Sequence, residues 1–284
     1  MTVTVQAPAK INLTLEVIAR RGDGYHELRS VIRTIDLCDS ITIGDAGADI
    51  YSSDSPEWDG EKSLVSKAVA LFRETTGDSG KVSVSVVKRI PMSAGLGGDS
   101  SDAAAVLRGL NSFYQADLPE EALHRMAEQL GSDVPFFLYG GTALIEGRGE
   151  KVTPLPSVPP ALLVLAVPMV ETIPGKTGYL FSRLTPNHFT DGEITRSFIE
   201  ALEAGEKLPP LFNTFENVAY QCFPGLDTAR KHFLKLGARD VHLAGSGPVL
   251  FTIVKDQPAA EELSGLLERQ NMKPIIAGTG SGIE

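Results

Sequence analysis

One stretch constrains the fold more than any other: residues 88–107, which read Lys-Arg-Ile-Pro-Met-Ser-Ala-Gly-Leu-Gly-Gly-Asp-Ser-Ser-Asp-Ala-Ala-Ala-Val-Leu. Before it, residues 82–87 alternate valine with serine and predict a strand. After it, residues 100–114 have the apolar spacing of a helix. The glycine-rich turn at residues 95–98 lies between them, so backbone amides and the positive helix end face one point. We therefore interpret this turn as a phosphate-binding loop for a nucleotide.

Other interpretations of this loop fit less well. No Gly-Lys-Ser/Thr closes it, which disfavours the common P-loop. Ser100 stands where a dinucleotide fold would have its third glycine, and the loop lies deep in the chain. A turn that only caps a helix, with Asp99, Ser100 or Ser101 as the cap, remains an alternative. Asp99 and Asp102 would repel phosphate, so at least one should point away or reach the nucleotide through Mg²⁺.

The overall composition indicates a globular protein that binds a small anion locally. A chain of 284 residues, 42% hydrophobic, can form one large domain or two of ordinary size. Its net charge of −10 argues against general binding to nucleic acid or to a membrane surface. Cys38 and Cys222 lack metal-site spacing and predict buried thiols in a reducing cytoplasm. The absence of a leader and of a long apolar run predicts a soluble, cytoplasmic protein.

The first strands carry polar side chains whose role periodicity alone does not decide. Strands are predicted at residues 2–8 and 10–17, with Lys10 and Asn12 together on the polar face of the second. From alternation alone, a solvated polar edge is the favoured interpretation of that face. The following loop contains Tyr25 and His26, a pair that surface loops often carry.

The rest of the chain alternates strands and helices, with one proline-rich break. Residues 45–60 read as irregular, and residues 152–160 read as a linker and the best domain boundary. Asp133 lies among apolar residues, either as a helix cap or as a partly desolvated carboxylate that can act as a base. The second half reads strand–helix–strand–strand–helix–strand, which indicates a split βαβ sandwich. Further strands are predicted at 28–37, 40–43, 142–146, 161–167, 241–244, 249–254 and 274–277, and helices at 63–75, 119–130, 176–183, 194–203, 215–222, 226–236 and 259–270.

Three blocks of sequence together resemble the GHMP small-molecule kinases. They are Ala-Pro-Ala-Lys-Ile-Asn-Leu at residues 7–13 with Gly-Tyr-His-Glu-Leu at 24–28, the loop at 90–104, and Leu-Ala-Gly-Ser-Gly-Pro at 243–248. The resemblance covers essentially the whole chain and implies an α+β two-domain GHMP kinase fold. Residues 1–154 would form an ATP-binding and catalytic domain, ribosomal-protein-S5-domain-2-like in fold. Residues 155–284 would form a ferredoxin-like split βαβ domain.

The resemblance also implies an activity. The first block is similar to the members that transfer the γ-phosphoryl group of ATP to the 2-hydroxyl of a cytidine-diphosphate-linked polyol, in the non-mevalonate isoprenoid pathway. By this resemblance Lys10 and Asp133 match the catalytic lysine and aspartate. These residue types suit the reaction, because a carboxylate can take the hydroxyl proton and an ammonium offsets charge on the transferring group. Mg²⁺ is expected with the ATP, but the resemblance assigns no metal ligands.

The binding residues are carried over in the same way. Asn12 would contact the polyol, Tyr25 and His26 would hold the cytosine, and Thr177 and Phe181 would complete the substrate site. The glycines at 245 and 247 would bring a backbone turn close to the phosphates. Two positions depart from the usual pattern, Asp99 in place of a third glycine and Ser63 in place of an asparagine. The nucleotide-binding set implied is Pro91, Met92, Ser93, Ala94, Gly95, Leu96, Gly97, Gly98, Asp99, Ser100 and Ser101.

Two alternative functions share this fold. One is another small-alcohol kinase of the homoserine or mevalonate type, against which the Tyr25–His26 pair argues because those substrates have no base. The other is a nucleotide sensor without turnover, against which the presence of both Lys10 and Asp133 argues. The expected partner is a small-molecule substrate, with no nucleic acid and no membrane; a homodimer is left open.

Overall fold

A computed structural model of the protein describes residues 1–171 and 173–279. Its first half is a mixed sheet covered by helices on one face. The strands are β1 (Thr2–Asn12), β2 (Thr14–Arg20), β3 (His26–Asp45), β4 (Ile50–Ser53), β5 (Val82–Val87), β6 (Thr142–Gly147) and β7 (Lys151–Pro154). The helices are α1 (Leu64–Thr76), α2 (Gly98–Phe113), α3 (Glu120–Leu130) and α4 (Val134–Tyr139), preceded by a 3₁₀ turn at Gly60–Lys62.

The long strand β3 organises this sheet. It pairs antiparallel with β1, β2, β5 and β6, while β4 runs parallel to β5 and β7 pairs with β6. Helix α2 lies against the sheet, and its close approach requires glycine at position 109. A Cβ at Gly109 would lie 2.6 Å from Cδ1 of Ile43. Phe72 of α1 and Leu107 of α2 are buried in the same core.

The second half contains the strands β8 (Leu162–Val167), β9 (Phe212–Asn213), β10 (His242–Leu243), β11 (Leu250–Val254) and β12 (Lys273–Gly278). Its helices are α5 (Lys176–Arg183), α6 (Glu193–Ala204), α7 (Glu216–Cys222), α8 (Leu226–Lys235) and α9 (Gln257–Glu268), with a 3₁₀ turn at Pro186–His188. Four of the strands form an antiparallel sheet in the order β10-β11-β8-β12, whereas β9 pairs parallel to β2 of the first half. This order and the helices between the strands confirm the predicted split βαβ arrangement.

Several predicted boundaries are wrong. The predicted break near residue 9 is a bulge within β1, between Pro8 and Lys10, and the chain turns at Leu13 instead. The strands predicted at 28–37 and 40–43 are one strand, β3. Residues 45–60 include β4, and the predicted linker at 152–160 begins as part of β7. The strands β4 and β7 are short and lie at sheet edges, and they are defined by backbone pairing more than by the pattern of their side chains.

The start of α2 also differs from the prediction. The helix begins at Gly98, with Gly97 in the N-cap position at φ 76°, and among the described residues no side chain caps it. Asp99, Ser100 and Ser101 are therefore inside the helix rather than its cap. The first amides of α2 thus remain available to a ligand.

Three general expectations have separate outcomes. The division into residues 1–154 and 155–284 stays a prediction. Cys38 and Cys222 are half-buried rather than fully buried, and both are free thiols in the part of the chain that the structure describes. No helix within residues 1–171 and 173–279 has the length and apolar character needed to cross a membrane.

Candidate active site

A cleft of about 980 Å³ lies between the two halves of the molecule. It is lined by the loop before α2, the end of β1, the turn between β2 and β3, the start of α5 and the turn between β10 and β11. Of the described residues that the sequence predicted for the site, Leu96, Ser101 and Gly247 are buried and do not line the cleft. The others all line it: Lys10, Asn12, Tyr25, His26, Pro91, Met92, Ser93, Ala94, Gly95, Gly97, Gly98, Asp99, Ser100, Asp133, Thr177, Phe181 and Gly245.

Lys10 and Asp133, which are far apart in sequence, meet at the floor of the cleft. The bulge in β1 aims the Lys10 side chain inward, and its backbone amide donates to the carbonyl of Leu96 over 2.9 Å. Lys10 Nζ donates to Asn12 Oδ1 at 2.8 Å and lies 3.9 Å from Asp133 Oδ2. The Lys10 side chain is only 7% exposed, whereas that of Asp133 is 44% exposed. The ammonium is therefore held by the fold, and the carboxylate stays open to a ligand.

The solvated-edge interpretation of Lys10 and Asn12 is wrong, because the second half covers this face. Asn12 is buried and donates through Nδ2 to Ser30 Oγ at 2.9 Å. A Cβ at Gly245 would lie 3.1 Å from Lys10 Nζ, so the β10–β11 turn passes directly over the ammonium. Asn213 holds that turn, donating through Nδ2 to the carbonyl of Gly245 at 2.8 Å.

The phosphate loop packs against the same turn. A Cβ at Gly95 (φ 84°) would lie 2.0 Å from the carbonyl oxygen of Ala244, and one at Gly97 would lie 2.7 Å from Cζ of Phe137. Only glycine fits either position. The two glycine-rich segments therefore interlock, and they bring the N-terminus of α2 to the wall of the cleft beside Lys10. Unpaired amides at a helix N-terminus suit a phosphate group.

Aromatic rings form the opposite end of the cleft. The His26 and Phe181 rings stack with centroids 4.7 Å apart and planes 15° apart, and Phe189 meets His26 edge-on. Burial, and then the charge of Arg20, lower the pKa of His26 below its usual value. A neutral imidazole has one donor and one acceptor nitrogen, which suits the edge of a base. Tyr25 is 53% exposed, with the guanidinium of Arg148 above its ring.

Sequence reasoning missed a buried ionic cluster behind the phosphate loop. Lys88 Nζ donates to Asp39 Oδ2 at 2.5 Å and to Asp102 Oδ2 at 2.8 Å. Asp39 also accepts the amides of Arg89 and Ile90. Asp102 thus points away from the cleft, whereas the exposed Asp99 lines it. The sequence signal for this cluster was the pair of opposite charges, Lys88 and Asp102, on either side of the glycine loop.

Lys176 was missed as well. Its Nζ donates to the carbonyl of Ser93 at 2.7 Å and to the carbonyl of Gly247, joining both glycine-rich segments. Burial, helped by the charge of Lys10, lowers its pKa to about 8. Its neighbour Thr177 exchanges a hydrogen bond with Ser246 at 2.9 Å between hydroxyl oxygens. The position of Lys176 directly before Thr177 was the only sequence signal for it.

The oxygen donors of the cleft suit a metal bound together with phosphates. Within residues 1–171 and 173–279, no three His, Cys, Asp or Glu side chains cluster as a metal site. Asp99, Ser100 and Asp133 nevertheless line the cleft with oxygen atoms. Mg²⁺ in nucleotide sites commonly takes one or two protein oxygens and the rest from phosphates and water.

Comparison with known proteins points to one family. Residues 63–141 match the family model of the GHMP kinases N terminal domain, and residues 196–270 match that of the GHMP kinases C terminal. Over 278 residues the chain is 49% identical to 4-diphosphocytidyl-2-C-methyl-D-erythritol kinase of Dehalococcoides mccartyi, covering 98% of each chain.

Solved structures show the same similarity. A crystal structure of 4-(cytidine 5'-diphospho)-2C-methyl-D-erythritol kinase has a TM-score of 0.83 at 34% identity, over 97% of this chain and 98% of that one. A homoserine kinase from Cytophaga hutchinsonii has a TM-score of 0.74 at 19% identity, over 100% of this chain and 96% of that one. The second likeness bears on the fold alone.

Proposed function

The chain belongs to the GHMP kinase family, and from this premise we propose that it transfers the γ-phosphoryl group of ATP to the 2-hydroxyl of 4-(cytidine 5'-diphospho)-2-C-methyl-D-erythritol, in the non-mevalonate route to isoprenoid precursors. One observation carries the proposal. The Lys10–Asp133 pair opens into a cleft that has a glycine-rich helix N-terminus beside it and the stacked rings of His26 and Phe181 at its other end. The helix N-terminus suits a triphosphate, and the stacked rings suit a cytosine.

In this mechanism Asp133 is the general base. The 2-hydroxyl gives its proton to the Asp133 carboxylate as its oxygen forms a bond to the γ-phosphorus, and the bond from that phosphorus to the bridging oxygen breaks to release ADP. The exposed carboxylate of Asp133 can reach such a hydroxyl directly. Lys10, held by Asn12, lies beside this carboxylate and stabilises the charge that develops on the transferring group.

The donor nucleotide is assigned to the phosphate loop, residues 91–101. The amides at the start of α2 would hold its phosphates, since among the described residues no side chain occupies them. Mg²⁺, when bound with the nucleotide, supplies further charge neutralisation. Asp99 and Ser100, at the start of α2, are the oxygen donors that would hold it beside the phosphates.

The acceptor is assigned to the remaining lining residues. Asn12 would contact the polyol, His26 the edge of the cytosine, and Tyr25 and Phe181 its faces. His26 now covers one face of Phe181, so a stacked base requires this ring pair to separate or to stack on its outer side. Thr177 lines the cleft at the start of α5, where its hydroxyl shares a hydrogen bond with that of Ser246.

Three broader assignments belong to the proposal. We assign residues 1–154 to nucleotide binding and catalysis, and residues 155–284 to the domain that closes the cleft. The free thiols Cys38 and Cys222 are consistent with a reducing cytoplasm. The homodimer stays an open prediction.

Steady-state kinetics test the proposed function. With purified protein and Mg-ATP, we expect ADP release to depend on the cytidylated acceptor and to be far slower with homoserine or mevalonate. Equal turnover of an alcohol without cytidine would indicate another small-alcohol kinase. ADP release that no alcohol stimulates would indicate a nucleotide sensor.

A further inference from the structure

The ammonium of Lys176 is a partly buried positive charge in the wall of the cleft. Its hydrogen-bond partners are two backbone carbonyls, those of Ser93 and Gly247, which carry no net charge. The other lysines of the cleft differ from it. Lys10 faces Asp133, and Lys88 lies against two carboxylates. Among the described residues, no carboxylate forms an ion pair with Lys176.

An ammonium without a counter-ion is costly to bury. Desolvation favours its neutral form, and the lowered pKa of Lys176 reflects this cost. An anion in the cleft would remove the cost, because it would supply the missing opposite charge and accept a charge-assisted hydrogen bond. An anionic group would therefore suit this ammonium better than water does.

The position of Lys176 indicates which anion this is. Lys176 and Thr177 begin α5, and Phe181, at the base end, lies on the same short helix. On the other side, the positive charge of Lys10 at the reacting end acts on Lys176. Lys176 is thus linked to both ends, by the short helix it shares with Phe181 and by the charge of Lys10, and it is within reach of a ligand that occupies both.

In the acceptor, the group between the cytidine and the polyol is a diphosphate. We propose that Lys176 binds this diphosphate and so contributes to selecting a nucleoside-diphosphate-linked alcohol over a simple alcohol. The inference rests on the proposed function, because that function supplies the diphosphate. It assigns to Lys176 the charge recognition, and to His26 and Phe181 the recognition of the base.

A positioning role is the competing explanation. Lys176 joins the phosphate loop to the β10–β11 turn, and Ser93, whose carbonyl it holds, has a left-handed backbone (φ 52°). If Lys176 only stabilised these loops, its loss would weaken binding of the donor nucleotide as well as binding of the acceptor. Binding measurements with one pair of probes that differ in phosphate and another pair that differ in base separate the two roles.

The experiment compares cytidine, cytidine 5'-diphosphate and ADP as probes, by isothermal titration calorimetry on the whole protein. We expect Lys176→Gln to lower the affinity for cytidine 5'-diphosphate by about 10- to 100-fold, the effect of losing one hydrogen bond to a charged group. The affinities of this variant for cytidine and for ADP should stay within about two-fold of those of the wild type, because the proposed contact is with the diphosphate of the acceptor alone. Lys176→Arg should recover part of the loss because it keeps the charge. Lys207→Gln, a change at an exposed lysine, is the matched control.

Three results would overturn the proposal. Equal losses for cytidine and its diphosphate would indicate a structural role. A loss for ADP as large as that for cytidine 5'-diphosphate would indicate loop positioning or donor binding. No change in any affinity would exclude Lys176 from binding. If the wild type binds neither diphosphate, the proposed function itself fails, which is a distinct outcome.

A second measurement does not depend on a variant that folds. Acetylation of the wild type with acetic anhydride, read at each lysine by mass spectrometry, reports which ammonium a probe covers. We expect cytidine 5'-diphosphate to protect Lys176 while cytidine and ADP leave it reactive, with Lys207 reacting equally throughout. Protection by ADP alone, or by no probe, would contradict the proposal.

Discussion

Two lysine–aspartate sets flank the same glycine-rich loop, and they differ in how completely their charges are paired. On the cleft side, Lys10 lies 3.9 Å from an Asp133 carboxylate that is nearly half exposed. On the core side, Lys88 lies 2.5 Å and 2.8 Å from Asp39 and Asp102, with all three side chains buried. The first set is open to a ligand and the second is closed by the fold.

The difference shows how one loop is both held and used. Burial of Lys88 is compensated by two carboxylates, which raise its pKa although desolvation alone would lower it. Removal of one partner from such a cluster leaves an unpaired buried charge, which destabilises the fold. A loose, exposed pair contributes little to stability, so Asp133 is free to serve the reaction. The open set should therefore affect rate, and the closed set stability.

The largest expected effect is on the open set. We expect Asp133→Asn to lower kcat by about 10²- to 10⁴-fold, the range for loss of a general base, because the amide cannot accept the hydroxyl proton. Affinity for ADP should stay nearly unchanged, as should the midpoint of thermal unfolding. A large loss of nucleotide affinity would show that Asp133 serves the nucleotide instead.

The closed set should respond in stability. We expect Lys88→Met to lower the free energy of unfolding by about 3–5 kcal/mol, because it leaves buried carboxylates without a counter-ion. Urea denaturation followed by circular dichroism measures the change. Lys62→Met is the matched control, since Lys62 pairs with Asp59 at the exposed surface at 2.8 Å, and its loss should change the free energy of unfolding far less than the loss of Lys88. Equal effects of the two changes would break the comparison.

The pH dependence of stability sharpens the same contrast. Burial, which Asp39 reinforces and Lys88 opposes, raises the pKa of Asp102 from 3.8 to about 7. Between these values the folded protein holds a proton that the unfolded chain has lost, so the free energy of unfolding should fall as pH rises toward 7.

Asp102→Asn removes this titration and keeps the side-chain shape. We expect its free energy of unfolding, measured by urea denaturation between about pH 5 and about pH 8, to fall less steeply with pH than that of the wild type. Parallel curves for the two proteins would show that Asp102 does not titrate in this range.

The smallest effect is expected at the base end of the cleft, where no ion pair is involved. We expect His26→Ala to raise KM for the cytidylated acceptor by about 3- to 10-fold, from loss of a ring contact and a base-edge hydrogen bond. The value of kcat should change much less, because such a group binds ground and transition states alike. A fall in kcat with KM unchanged would argue against a base-binding role.

Local patterns were sufficient for much of the fold. The strand β5 has the predicted bounds, and α1 differs from its prediction by one residue at each end. Short-range periodicity is sufficient for both elements. Helix α1 also has a side-chain cap, Ser63, directly before its first residue. The glycine loop was located in the same way, although its helix begins earlier, at Gly98, because a left-handed glycine replaces the expected cap.

The amino-acid sequence by itself determined which groups the cleft contains: a glycine-rich loop, a lysine on a strand, an aspartate before a short helix and a Tyr-His turn. Only the tertiary structure decided that Lys10 and Asn12 are buried, because Gly245, from the far end of the chain, covers them. It likewise decided that Asp102 turns to Lys88 and that Lys176 reaches the phosphate loop. Periodicity reports which face of a strand is polar, whereas burial and charge pairing depend on what a distant segment places against that face.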